Sequence, residues 1–272
     1  MHTIQESIVK AGLQSGSTFD LNQIRLQLDQ GRVDTHNKST GDLKFYDCPK
    51  CLNRGDFLKL RDGGGVVAFP CDCGEIRKMY RLIHESGLES VIRERTFPRY
   101  QVYEKWQREL KESAMTYAGK PEGWFVLCGQ VGSGKTHLCT AICGEALRRR
   151  IPVRYMLWVQ ESDRLKYMED PQQREDALEE LRKAPMLYID DLFKPIQDGT
   201  TFAKPTKADI RMAFDILSER YRNRLPTVIS TERTAEELIG VDEAIGSRIS
   251  EMARGKLYTI ARDPSRDMRM KQ

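Results

Sequence analysis

The chain has 272 residues, 39% of them hydrophobic and 31% charged, with a formal net charge of +4 at pH 7. This size allows one full α/β domain plus a smaller folding unit, and the modest charge argues against a surface basic enough to coat DNA. No run approaches the roughly 18 consecutive apolar residues of a membrane span, and the N-terminus lacks the apolar core of a signal peptide. We therefore expect a cytoplasmic protein without a membrane partner.

Residues 1–42 are predicted to form a helical segment followed by a linker. Apolar residues recur at helical spacing over residues 4–9, and Asp20 with Gln23 resembles a capping box that opens a second helix. Polar residues from Gly31 to Asp42 are typical of a linker. These helices are too short to form a core alone.

Four cysteines mark a second module, predicted over residues 43–80. Their thiols come in two close pairs, Cys48 with Cys51 and Cys71 with Cys73. Because cytosolic thiols stay reduced, such pairs are typical of metal ligands, and four thiolates can close a structural Zn²⁺ site. Unligated cysteines and an iron–sulfur cluster are the alternatives, since the second pair is closer than the usual C-x2-C. Zinc would supply folding energy that the few nearby apolar residues cannot.

Residues 81–118 are predicted to be a charged helical linker, broken at Pro98, and residues 119–272 to be a larger α/β domain. In that domain, five apolar strands alternate with helices, which predicts a parallel sheet covered on both faces. The predicted strands are Trp124–Cys128, Val153–Trp158, Met186–Asp190, Thr227–Thr231 and Leu257–Ala261.

A phosphate-binding motif follows the first of these strands. Residues 129–136 match G-x-x-x-x-G-K-[ST], and the strand before and the helix after are the context that the motif requires. Lys135 would reach the β and γ phosphates of ATP, and the Thr136 hydroxyl would bind Mg²⁺. The alternative is a glycine turn without a ligand. The predicted nucleotide-binding residues are Gly129, Gln130, Val131, Gly132, Ser133, Gly134, Lys135 and Thr136.

Two aspartates end a later strand and supply the acidic half of the predicted site. Asp190 is predicted to hold Mg²⁺ through water, and Asp191 to orient or deprotonate the attacking water. The alternative is a strand-to-loop turn, in which aspartate is common. With Lys135 as the third catalytic residue, the motifs predict hydrolysis of ATP to ADP and phosphate.

Arg248 is the fourth predicted catalytic residue. It lies on a short helix whose apolar face carries Ile245, Ile249 and Met252, so its guanidinium is predicted to point away from the core. A planar cation at a subunit edge can stabilise charge in a neighbour's active site, whereas the alternative is a solvated surface arginine. The first reading predicts self-association through this domain.

Taken in order, these features resemble the DnaC/DnaI-type replicative helicase loaders of bacteria and phages, a branch of the AAA+ ATPases. The resemblance implies that residues 119–272 are an AAA+ ATPase domain and that the N-terminal region engages a hexameric helicase to place it on single-stranded DNA. It also implies that Arg248 acts in a neighbouring subunit's site. It rests on the cysteine pairs, the P-loop, Ser86–Leu88, Thr96–Phe97, Ile189–Asp191, Val228–Thr231 and Ile245–Arg248.

The sequence departs from that family's pattern in one position and lacks one element. Glu232 stands where such loaders usually carry an asparagine that senses the γ-phosphate, so Ser230 or Thr231 would have to substitute. The segment Arg262–Gln272 leaves no room for a helical lid, and we therefore expect an AAA+ core without a C-terminal lid, as in loaders.

Other functions remain open from the sequence. An IstB-type transposition helper ATPase, a nucleotide-gated adaptor with little turnover and a small-molecule kinase are the alternatives. Contact with DNA would use a basic groove along the phosphate backbone, but the same charges can be a solvated face. The basic candidates are Arg148, Arg149, Arg150, Lys194, Lys204 and Lys207.

Overall fold

A computed structural model describes residues 21–62, 64–85, 89–194, 197–198, 201–202 and 204–271. The helix expected at residues 4–9, the first residue of the expected capping box (Asp20) and the Ser86–Leu88 motif lie outside the described residues. The chain divides into two compact units, residues 1–74 and residues 75–272. Among the described residues, no helix combines the length and the apolar character needed to cross a membrane.

Over its described residues, 21–62 and 64–74, the first unit shows one long helix and one β-hairpin. Helix α1 spans Leu21–Lys38, and strands β1 (Asp56–Leu60) and β2 (Val66–Pro70) pair in antiparallel fashion. The linker predicted from Gly31 is therefore wrong over its first part, because helix α1 continues to Lys38.

Contacts between α1 and the hairpin explain this difference. The Asn37 side chain donates to the Leu58 carbonyl (2.9 Å) and accepts from the Leu58 amide (3.0 Å). About two turns of helix earlier along the chain, the Asp29 carboxylate accepts from the Gly65 amide (2.9 Å). Most helical stability in proteins comes from tertiary packing, so a polar stretch can be helical where its side chains find such partners.

The second unit is a five-stranded parallel sheet with helices around it, as the sequence predicts. Each of the five strands of this sheet begins at its predicted first residue and ends within one residue of its predicted last residue. The strands are β3 (Trp124–Gly129), β4 (Val153–Leu157), β5 (Met186–Asp190), β8 (Thr227–Ser230) and β9 (Leu257–Ile260), and β6 (Gln197–Asp198) and β7 (Thr201–Phe202) form a separate short pair. The helices are α2 (Cys73–Glu85), α3 (Glu89–Glu94), α4 (Lys105–Gly119), α5 (Lys135–Arg148), α6 (Trp158–Lys166), α7 (Pro171–Lys183), α8 (Lys207–Arg222), α9 (Ala235–Val241) and α10 (Glu243–Met252), followed by 3₁₀ turns at Pro264–Arg266 and Met268–Lys271.

The order of the strands positions the functional site. Across the sheet they run β4, β5, β8, β3, β9, so β8 lies between the P-loop strand β3 and the aspartate strand β5. All neighbouring pairs are parallel, so the carboxyl ends of β3, β5 and β8 meet at one edge. Ligands of open α/β sheets bind outside this edge, where the strand order reverses.

Helix α4 belongs to the core of this unit. Leu110, Ala114 and Tyr117 are buried, and they pack with residues of α5 and β3 in one apolar cluster. Helix α4, which falls in the stretch predicted to be a linker, therefore packs as part of the second unit.

One fully buried arginine ties the far end of the sheet together. The Arg220 side chain, on α8, donates to the Thr227 hydroxyl (2.9 Å) and to four backbone carbonyls. Three of these carbonyls lie at the C-terminal end of α7 and one directly precedes β8. They belong to Leu181, Arg182, Ala184 and Pro226.

Replacing Arg220 with methionine should lower the free energy of unfolding by about 3 kcal/mol or more. The buried backbone carbonyls would lose their hydrogen-bond donor and stay buried without a partner. Urea denaturation of the two proteins measures the difference. Arg222→Met is the matched control, since Arg222 is exposed on the same helix and pairs with Glu219, and it should change stability by under about 0.5 kcal/mol. Equal stability of both variants would contradict this role for Arg220.

Candidate functional site

The phosphate-binding loop lies between β3 and α5, and its backbone requires glycine. Gly129, Gly132 and Gly134 have φ angles of 95°, 73° and 89°, in the left-handed region that L side chains rarely adopt. A Cβ atom on Gly129 would lie 2.1 Å from the Ile260 carbonyl oxygen, and one on Gly132 would lie 2.0 Å from the Asp267 carboxylate. The glycines of the motif therefore allow the loop backbone to turn tightly and to pass close to Ile260 and Asp267.

Lys135 begins helix α5 and is buried beneath the loop. Its ammonium donates to the carbonyls of Gly129 (2.8 Å) and Gln130 (2.6 Å). Burial lowers the pKa of Lys135, and the negative charges of Glu232 and Asp191 act against that shift. Two carboxylates thus lie near enough to interact electrostatically with the P-loop lysine.

Asp190 ends β5 and is the centre of a hydrogen-bonded cluster. Its carboxylate is buried and accepts from the Thr136 hydroxyl (3.2 Å), the Tyr155 hydroxyl (3.0 Å) and the Ser230 hydroxyl. Burial raises the pKa of Tyr155, and the charge of Asp190 raises it further, so the phenol stays a donor. The adjacent oxygens of Thr136 and Asp190 fit the hard oxygen ligands that Mg²⁺ prefers.

Asp191 follows in a tight turn and lies in an ion-paired group. Its φ of 58° is in the left-handed region, and its amide donates to the Ser230 hydroxyl (3.1 Å). The ammonium of Lys194 lies 2.7 Å from the Asp191 carboxylate and 3.4 Å from the Glu232 carboxylate. Lys194, one of the basic residues considered for DNA contact, therefore lies at the predicted nucleotide site.

One pocket of about 460 Å³ lies at the predicted edge of the sheet, and its lining includes Gly132, Gly134, Lys135, Thr136, Asp190, Asp191, Lys194 and Glu232. Sequence reasoning missed three basic or aromatic residues of its wall, Arg95, His137 and Arg269. The His137 imidazole donates to the Thr96 carbonyl (2.9 Å), and burial lowers the pKa of His137, so the ring is neutral. His137 could have been predicted as a pocket residue because it directly follows the P-loop threonine. Nothing in the sequence indicates that Arg95 and Arg269 lie at this edge of the sheet.

Arg248 lies on α10 and is not among the residues that line this pocket. Its guanidinium stacks on the rings of Phe214 (4.6 Å) and Tyr221 (5.7 Å), both on α8. In the described part of the chain, its buried Nη1 atom has no hydrogen-bond partner. Helix α10 buries Ile245 and Ile249, whereas Arg248 as a whole is only partly buried.

The four cysteines of the first module come together in space. Cys48, Cys51, Cys71 and Cys73 are all buried, and their sulfur atoms lie within 4.8 Å of one another. The Sγ–Sγ distances of 3.8 Å (Cys48–Cys71) and 3.7 Å (Cys51–Cys73) fit a tetrahedron with Zn–S bonds of about 2.3 Å, whose edges are about 3.8 Å. The Gly55 amide donates to the Cys51 sulfur (3.3 Å), as backbone amides do for metal-bound thiolates. The cluster is compatible with zinc.

Comparison with known proteins places the chain among nucleotide-binding relatives. Residues 76–245 match the family model described as IstB-like ATP binding protein. The phage-like element PBSX protein XkdC of Bacillus subtilis strain 168 is 34% identical over 254 residues, which cover 88% of this chain and 92% of that protein. The replicative helicase loader DnaC of Escherichia coli strain K12 is 27% identical over 185 residues, covering 65% of this chain and 70% of that protein.

A solved structure supports the same fold. The crystal structure of the DnaC helicase loader superposes with a TM-score of 0.53 at 19% identity, covering 64% of this chain and 99% of that chain. The resemblance inferred from the ordered motifs is confirmed, and so is the α/β P-loop architecture with its five-stranded parallel sheet.

Proposed function

The chain belongs to the family of IstB-like ATP-binding proteins, and we propose that it is an ATP-hydrolysing AAA+ loader that places a hexameric replicative helicase on single-stranded DNA. One observation carries the hydrolytic part of the proposal: the P-loop, Asp190 and Asp191 line a single pocket. The DnaC relative, named as a replicative helicase loader, supports the choice of partner.

Each residue has a distinct role in the proposed reaction. Lys135 binds the β and γ phosphates, leaving its present carbonyl partners, and the backbone amides of Gly129–Thr136 surround the phosphate chain. Thr136 and Asp190 would hold Mg²⁺, Asp190 through water, and the ion would neutralise charge on the phosphate oxygens. Asp191, beside them, orients or deprotonates the attacking water.

The remaining assignments concern partners and assembly. In this proposal the protein is cytoplasmic, and the N-terminal region with its zinc module (residues 43–80) engages the helicase. Self-association of the ATPase domain, residues 119–272, brings Arg248 to a neighbour's phosphates. Phe214 and Tyr221 support this role because their rings hold the guanidinium at a partly exposed position.

The test is ATP turnover by the full chain, alone and with single-stranded DNA and a replicative helicase. We expect turnover that responds to either partner and is lost in Lys135→Ala, because the main phosphate cation is removed. Lys183→Ala, an exposed ion-paired lysine on α7, should behave as the wild type. ATP binding without turnover in every mixture would contradict hydrolysis and leave a nucleotide-gated adaptor. Turnover that ignores both partners would contradict the loader role.

A further inference from the structure

Lys194 connects the two carboxylates that face the nucleotide pocket. Its ammonium pairs with Asp191 (2.7 Å) and with Glu232 (3.4 Å), and its side chain is 40% exposed against 20% and 19% for these partners. An ammonium group has three N–H donors and the two carboxylates take two, so one donor is left for another acceptor. Lys194 lines the pocket together with Lys135 and Thr136.

The turn that carries Lys194 is firmly anchored. Phe193 is buried with a φ of 50°, its ring packs edge-on against Trp158 (5.3 Å between centroids), and its carbonyl accepts from the Arg233 side chain (2.8 Å). The Thr231 hydroxyl donates to the Leu192 carbonyl (2.7 Å). The loops after β5 and β8 are thus joined, which holds Lys194 and Glu232 at the same place.

Charge explains why a cation is needed there. Glu232 lines the pocket proposed to hold the negatively charged phosphates, and a carboxylate there repels phosphate unless a cation compensates its charge. Burial alone would lower the pKa of Lys194, but its hydrogen bond to Asp191 and the charges of Asp191 and Glu232 outweigh this and raise it. Lys194 is therefore an ammonium ion at neutral pH.

We propose that Lys194 is a second phosphate-binding cation, which contacts the terminal phosphate of a nucleoside triphosphate and distinguishes it from the diphosphate. This inference rests on the proposed function, in which Asp191 lies next to the water that attacks the terminal phosphate. Because Lys194 contacts Asp191 directly, its free donor lies near that phosphate. When the phosphate binds, the Lys194 ammonium interacts with three anions, the phosphate, Asp191 and Glu232. Its ion pair with Asp191 is therefore weakened.

The experiment measures dissociation constants for a non-hydrolysable ATP analogue and for ADP by calorimetry on the full chain. In Lys194→Gln, affinity for the triphosphate should fall by roughly tenfold, the equivalent of one charge-assisted hydrogen bond, while affinity for ADP stays within about twofold. Glu232→Gln should shift the ratio in the opposite direction, because it removes a repulsive charge and frees Lys194. Lys194→Arg should restore most of the discrimination, and Lys183→Gln is the control outside the pocket.

The outcomes separate this inference from the function on which it rests. Wild-type protein that binds neither nucleotide would contradict the proposed function itself. Binding that needs Lys135 but keeps the same ratio of triphosphate to diphosphate affinity in Lys194→Gln would contradict the role of Lys194 alone. An equal loss of both affinities, with a lowered melting temperature, would mean that Lys194 is structural, and would also overturn the inference.

Discussion

Replacing Asp191 with asparagine should lower the turnover number for ATP by roughly 10²- to 10⁴-fold while ATP still binds at least as tightly as to the wild type. Asparagine has nearly the same size as aspartate but cannot accept a proton from the attacking water. It also tolerates the left-handed φ of 58°, so the turn between β5 and Lys194 should survive. Because the Asp191 charge is lost, Lys194 is freer to bind phosphate, so affinity should not fall.

Single-turnover hydrolysis and equilibrium binding of ATP measure the two quantities separately. Asp215→Asn is the matched control, since Asp215 is a partly exposed aspartate on α8 that pairs with Arg182 outside the nucleotide pocket. It should leave both turnover and affinity unchanged. Turnover within a few-fold of the wild type in Asp191→Asn would show that another group activates the water, and a matching loss of ATP affinity would place Asp191 in ground-state binding instead.

Much of the nucleotide site could be predicted because local sequence determines it. The glycines of the P-loop and its lysine and threonine are consecutive, and the strand before them is buried along its whole length. Asp190 ends another fully buried strand and Asp191 follows it directly, so their place at the carboxyl edge follows from the sheet class. The strands are continuous apolar runs, and this explains why their predicted and observed bounds agree so closely.

The unpredicted part of the site depends on pairing between distant segments. Tyr155 reaches Asp190 because β4 pairs with β5 in a register that sets Leu157 opposite Asp190. Lys194 had the appearance of a surface charge, since nothing local reveals that β8 brings Glu232 beside it. The length of helix α1 also depends on a distant segment, because the hairpin hydrogen-bonds Asn37 in the polar C-terminal turns of the helix.

Treating the chain with a zinc chelator should unfold the β1–β2 hairpin of the four-cysteine module while nucleotide binding by the second unit persists. Strands β1 and β2 are half-buried or exposed along their length, so they have little apolar surface to bury. Structural zinc contributes about 10–16 kcal/mol in small zinc-finger peptides, which exceeds what such a hairpin can supply by itself. Cys51→Ser should have the same effect as a strong chelator, because three thiolates no longer close the tetrahedron.

Metal analysis of the purified chain, with hydrogen exchange of the hairpin amides, tests this expectation. The wild type should carry one zinc per chain and protect these amides, whereas Cys51→Ser should lose both. Lys50→Ala, between the first two cysteines and paired with Asp72 at the surface, should keep both. If the helicase contact depends on this module, Cys51→Ser should also lose helicase-stimulated turnover yet keep its ATP affinity. Protected amides in a metal-free chain would mean that the thiols pack as core residues without a metal.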